Sequence, residues 1–268
     1  MSKRTITALT LLLVGFPTLV WGGIPYFLFI GFLLTVSAWE YANLFRVSGS
    51  RPATWLVVGG VLILIAARFF QPVAAMPVLT FLVLALMVYH LVDYERGADR
   101  AGQDFSVSLA ALVYIGWIGA YLLDLRQLPN GGWWAFFVLP CVWFVDTGAF
   151  MLGAAYGKHR MSPRLSPKKS WEGYVGGVFT SMLGGGFLAY CYTTWGPLNL
   201  PTWVGVLFGL VVGLITPLGD LGESMIKRQA GTKDSGTIFP GHGGAFDRID
   251  SWLWGAVLGY YFITWFIR

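Results

Sequence analysis

Thr5 to Trp39 runs for thirty-five residues without a charged side chain, and as one helix it would be about 52 Å long. The hydrocarbon core of a bilayer is about 30 Å thick, so the run must fold back on itself. The sequence Trp-Gly-Gly-Ile-Pro from Trp21 to Pro25 is the predicted turn of a helical hairpin. A longer uncharged run, Gly173 to Gly219, is divided in the same way between Thr193 and Pro201. With the other apolar stretches, the pattern predicts nine helical spans at roughly 5–21, 25–45, 53–70, 73–92, 105–125, 132–156, 170–192, 202–220 and 245–267. None shows the period-two alternation of β-barrel strands.

Composition agrees with that pattern. The chain has 268 residues, 56% hydrophobic and 17% aromatic, with 12% charged against the usual share of about 25%. So few charges cannot cover a compact soluble domain, and so much apolar side chain excludes a disordered one. The expected fold class is all-α, a polytopic integral membrane protein. Met-Ser-Lys-Arg before an apolar run could open a secretory signal, but no small-x-small cleavage site follows. Cys141 and Cys191 lie inside apolar runs, which excludes a disulfide framework.

The formal charge of +5 is explained by topology. With nine spans and a cytoplasmic N-terminus, fifteen Lys and Arg residues fall on the inner side. Only Arg68, Arg126 and Arg268 fall outside. That bias follows the positive-inside rule and places the C-terminus outside. It leaves nucleic-acid binding without support. The whole chain, 1–268, reads as a single transmembrane domain. Residues 1–140 form a helical scaffold with lipid access, 141–250 carry the chemical motifs, and 245–267 form the last span. Any chemistry must sit at the inner face or between helices.

Several polar groups cost too much in a membrane to be incidental. Asp146 lies within the run Trp143 to Phe150, where a carboxylate costs about 2.5–3.5 kcal/mol on insertion scales. Lys158, Arg160, Arg164, Lys168 and Lys169 then follow without an acid among them, and two Ser-Pro pairs restrict the backbone. A stiff basic loop at a membrane surface suits phosphate capture. Glu40 stands near the end of a span, consistent with a helix–helix contact, and receives no assignment.

The segment Pro217 to Asp250 carries most of the chemistry. Pro217 and Gly219 break the end of a span where Asp220 enters. Ser224, Lys227 and Arg228 share one helical face, and so do Asp247 and Asp250. Gly241, Gly243 and Gly244 offer backbone amides beside a helix start, a suitable anion site. Asp247 and Asp250 alone would also suit a helix N-terminus. Carboxylates from two helices beside Lys and Arg fit a divalent cation clamping a polyphosphate. His242 is an acid–base or phosphate-contacting candidate, or a loop residue. There is no Gly-x-x-x-x-Gly-Lys-Ser/Thr nucleotide loop. Phosphoryl or nucleotidyl transfer to a lipid follows, without a choice of nucleotide.

The stretch Ser224 to Asp250 resembles the signature of the phosphatidate cytidylyltransferase (CDP-diacylglycerol synthase) family. That signature is Ser-x-x-Lys-Arg, four residues, Lys-Asp, then Pro-Gly-His-Gly-Gly, two residues and Asp-Arg-x-Asp, and every fixed position is met. The run Asp146 to Phe150 and the segment Gly157 to Gly173 resemble the family's upstream blocks. Two departures are Ala245, where a larger aliphatic residue is more usual, and Ala154, where an Arg is frequent. The second implies that one phosphate contact is absent or supplied elsewhere.

The resemblance implies condensation of CTP with phosphatidate to CDP-diacylglycerol and pyrophosphate, with magnesium and room for a second cation. It implies a multi-pass protein of the cell (inner) membrane with its active site facing the cytoplasm. A homodimer is compatible with it. In that frame Asp220, Asp247, Asp250 and Asp146 are metal ligands. Lys227, Arg228, Lys233, His242 and Arg248 act on CTP and the leaving pyrophosphate. Lys168, Lys169, Ser224, Gly243 and Gly244 bind substrate, the two lysines meeting the lipid phosphate. The rival readings are a CTP-dependent lipid kinase and a membrane transporter.

Overall fold

The structure, a computed structural model, describes residues 3–236, 238, 239 and 243–267. Helices account for most of it. In chain order they are α1 (Lys3–Trp21), α2 (Gly23–Val47), α3 (Thr54–Phe70), α4 (Ala75–Glu95), α5 (Ala101–Ala111), α6 (Tyr121–Gln127), α7 (Gly131–Tyr156), α8 (Trp171–Trp195), α9 (Thr202–Ile215), α10 (Pro217–Gln229) and α11 (Phe246–Phe262). A π-helical segment, Leu112–Trp117, follows α5, and another, Ile263–Ile267, extends α11. The expected spans fall largely on helical residues, with 105–125 covering α5, the π-helical segment and α6, and 202–220 covering α9 and the start of α10. Lipid offers no partner for backbone N–H and C=O groups, so an apolar run satisfies them internally by coiling.

Six helical stretches among the described residues are long and apolar enough to cross a membrane, and Leu12–Trp21 and Thr54–Phe70 are shorter apolar helices. Large apolar side chains such as Leu13, Phe81, Phe187 and Trp195 point outward, as a lipid-facing surface requires. The chain is therefore a multi-pass helical membrane protein. Two local results differ from expectation. The turn between α1 and α2 needs only Gly22, whose φ of 67°, with 54° at Gly23, lies where glycine is favoured. The basic loop holds a two-stranded antiparallel hairpin, β1 (Arg160–Ser162) and β2 (Ser166–Ser170).

The helices divide into two compact units, Met1–Asp124 with Ile226–Ile249, and Leu125–Met225 with Asp250–Arg268. In the first unit, α2 and α3 pack with the π segment through Leu34, Val57, Val61, Leu64, Leu112 and Ile115, all fully buried. Arg68, assigned to the outer side by the charge count, is buried in this unit. Its guanidinium pairs with Asp124 at 2.5 Å, donates to the Trp117 carbonyl at 3.0 Å and stacks on the Trp117 and Tyr121 rings.

In the second unit, α8 packs between α7 and α9 along a line of small residues. A Cβ on Gly205 would overlap the Gly185 carbonyl, one on Gly209 the Ser181 carbonyl, and one on Gly148 the Thr180 hydroxyl. Close backbone approach replaces the hydrophobic drive that lipid removes. The rings of Phe137, Phe208 and Phe262 meet in sequence, tilted to one another with centroids 5.0 Å apart, and join α7, α9 and α11.

Candidate active site

Within the second unit, α9 ends at Ile215 and a separate helix starts at Pro217, where a missing N–H costs nothing. Asp220 thus enters the first turn of α10, where the helix dipole favours a carboxylate. Glu223, one turn on and buried, and Asp250 of α11 converge on it. The three carboxylates each offer an oxygen within 4.8 Å of the others. Gly219 makes the convergence possible, because a Cβ there would press on the Asp250 carbonyl at 2.8 Å and on Trp254. Hard oxygen donors in this number suit a divalent cation.

Asp220 also forms part of the wall of a cavity of about 630 Å³. Its apolar side is formed by Val145, Ala149 and Phe150 of α7, Tyr174 of α8 and Pro217. Its polar side is formed by Asp146, Arg160, Lys168, Lys169 and Ser170. Both ends of the β1–β2 hairpin, which carries Arg160, Lys168 and Lys169, are tied down. Trp171 N–H donates to the His159 carbonyl, and the Ser170 hydroxyl caps α8 by accepting from Gly173 N–H at 3.2 Å. The Glu172 carboxylate accepts from the backbone N–H groups of Lys158 and His159 and pairs with His159 Nδ1 at 2.5 Å. Lys169 Nζ reaches Asp220 Oδ2 at 2.7 Å, while Lys168 is exposed. Ala154 lines the same cavity as Arg160.

The remaining expected residues belong to the first unit. Lys227, in the last turn of α10, donates to Asp247 Oδ1 at 2.5 Å. The other oxygen of Asp247 accepts from Ser235 N–H at 2.9 Å, Ser235 Oγ at 2.8 Å and Gly244 N–H at 2.8 Å. Arg228, Lys233 and Arg248 are exposed, and Arg228 donates to the Thr232 carbonyl. Gly243 adopts a φ of 79°, and a Cβ there would overlap Asp247. His242 and Gly241 lie outside the described residues.

The expected acidic set is therefore divided. Asp220 and Asp250, carboxylates from two helices, come together. Their third partner is Glu223, and Asp247 is engaged by Lys227 and the loop. Asp146 lines the adjoining cavity, and Ser224 Oγ points at Asp220 Oδ1 at 3.4 Å. The Gly244 amide, expected to face an anion, donates to the Asp247 carboxylate. Glu223 escaped the sequence reading although it lies three residues after Asp220, the same spacing used to pair Asp247 with Asp250. Glu40 escaped because its partners are distant in sequence.

A cytidylyltransferase family model matches residues 2–266. The chain is 34% identical to the phosphatidate cytidylyltransferase of Synechocystis sp., over 98% of this chain and 96% of the relative. It is 32% identical to that of Staphylococcus aureus and 30% identical to that of Staphylococcus saprophyticus, each over 94% of this chain and 95% of the relative. With the likeness running nearly end to end, the chain belongs to the cytidylyltransferase family.

Proposed function

We propose that the protein condenses CTP with phosphatidate to give CDP-diacylglycerol and pyrophosphate. The observation that carries the reading is the double position of Asp220. It belongs to a group of three carboxylates and also to the wall of a cavity with an apolar side and a basic side. A phospholipid with an anionic headgroup matches such a cavity.

In the reaction, a phosphate oxygen of phosphatidate attacks the α-phosphorus of CTP. A new P–O bond forms, the bond from the α-phosphorus to the bridging oxygen breaks, and pyrophosphate leaves with that oxygen. Phosphatidate already carries an anionic oxygen, so no protein nucleophile is needed. The chain's task is alignment and charge neutralisation. Lys168 and Arg160 hold the lipid phosphate, with Arg160 supplying the cation absent at Ala154. Lys227, Arg228, Lys233 and Arg248 neutralise the triphosphate and the leaving pyrophosphate, and we retain His242 among the groups that meet those phosphates. Ser224 orients Asp220.

Asp220, Glu223 and Asp250 would hold a divalent cation, which we assign as magnesium. Such an ion supplies Lewis-acid stabilisation of phosphoryl charge. Asp247 shapes the segment that carries Lys227 and Lys233, with its oxygens directed to four donors. Asp146 keeps a negative charge at the cavity wall next to this set.

We further assign nine spans, a cytoplasmic N-terminus, an external C-terminus and a site facing the cytoplasm of the cell membrane. The positive-inside bias supports that orientation. A reporter fused after Arg268 tests it: an external signal is expected, and a cytoplasmic one reverses the topology. The activity is tested with purified protein, CTP and phosphatidate, identifying both products. CDP-diacylglycerol with pyrophosphate is expected. CDP as the only nucleotide product would instead indicate a lipid kinase, and no CTP turnover would indicate a transporter.

A further inference from the structure

Glu40 is a fully buried carboxylate near the end of α2. Its Oε2 accepts from the backbone N–H of Phe246 at 2.9 Å and from Ser235 Oγ at 3.1 Å, across 206 and 195 residues of chain. Two glycines make room for it. A Cβ on Gly236 would overlap Oε1, and one on Gly244 would overlap both carboxylate oxygens. The backbone thus closes around this side chain from both ends of the 235–246 segment. Phe246 is fully buried beside it, with the Tyr41 and Tyr114 rings edge-on at 5.9 and 6.5 Å.

The Ser235 hydroxyl joins Glu40 to Asp247, lying 3.1 Å from one carboxylate and 2.8 Å from the other. Asp247 in turn holds Lys227 and the amides of Ser235 and Gly244. Removing Glu40 therefore strands a buried Phe246 N–H and unties Ser235 and the first turn of α11. Buried backbone donors without partners are strongly disfavoured, so the segment would shift to find new ones.

We infer that Glu40 is a positioning residue for nucleotide binding: it holds Ser235 and Phe246 in place around Asp247, and through Asp247 it sets the position of Lys227 for the phosphates of CTP. This rests on the cytidylyltransferase reading. It also specifies which replacement should work. Gln keeps an oxygen at the Oε2 position, where both the Phe246 N–H and the Ser235 hydroxyl are accepted. Ala keeps none of this.

The test is a kinetic comparison of Glu40→Ala and Glu40→Gln in the full chain, with rates expressed per folded molecule. Glu40→Ala should raise the KM for CTP by about tenfold or more, because a small misplacement of binding groups is costly. The KM for phosphatidate should stay within about twofold, and Glu40→Gln should keep the KM for CTP within about threefold of wild type. Where Glu40→Ala fails to insert or fold, Ser235→Ala replaces it and should give the same split between the two substrates. A wild-type KM for CTP in the Ala variant, an equal rise in both KM values, or a Gln variant as impaired as Ala overturns the inference. A wild-type protein without CTP and phosphatidate turnover overturns the underlying reading, a distinguishable result.

Discussion

Lys169 Nζ sits 2.7 Å from Asp220 Oδ2, so a cation from the hairpin already neutralises one member of the three-carboxylate group. A divalent ion binding there has to compete with that ammonium. Both side chains are partly exposed, at 25% and 37%, so the pair is worth at most about 1 kcal/mol. Lys169→Ala should lower the magnesium concentration needed for half-maximal activity, by no more than about fivefold. Lys168→Ala should leave that midpoint alone and raise the KM for phosphatidate. Magnesium and phosphatidate titrations of the two variants separate these effects, and identical behaviour would remove the distinction.

Asp220→Asn, Glu223→Gln and Asp250→Asn keep the size of each side chain and remove its charge. If the three hold a cation that stabilises the transition state, each should lower kcat by about a hundred- to a thousandfold, or about 2.7–4 kcal/mol. Raising magnesium should restore part of the rate. The check is turnover per folded molecule across a magnesium titration. Near wild-type rates in all three variants would dismiss the metal assignment.

Asp247→Asn should behave differently. Lys227 and Asp247 are 13% and 7% exposed, and breaking such a buried pair costs about 3–5 kcal/mol. We expect a lower unfolding temperature and a higher KM for CTP, with no recovery at high magnesium. Recovery by magnesium would place Asp247 among the metal ligands.

At the α8–α9 crossing, Gly205→Leu should destabilise the protein by about 1–3 kcal/mol or more, since the new side chain meets the Gly185 backbone. Gly59→Ala is the control. Nothing lies within 4 Å of its added Cβ, and a helix-interior alanine should be neutral or stabilising by about 0.5–1 kcal/mol. Thermal unfolding in detergent reads both.

The helical segments were legible in the sequence because their cause is local. An uncharged run in lipid has to satisfy its own backbone, and charges and Gly-Pro turns mark where it stops. The break of α9 from α10 was half legible: Pro217 marked it, but the helix resumes there and runs on to Gln229. The motif from Ser224 to Asp250 named the chemistry, since its residue types and spacing survive without knowledge of their partners. Partner choice was a tertiary matter. Asp247 and Asp250 lie one turn apart on α11, yet one meets Lys227 and the other meets Asp220 and Glu223. Lys169 faces a carboxylate while Lys168 is exposed, because successive residues of β2 point to opposite sides. Glu40 could only be a solitary acid in the sequence, since its two donors arrive from 195 and 206 residues away. Helical runs follow from what each stretch needs for itself, whereas pairing among charges depends on which helix faces present them to one another.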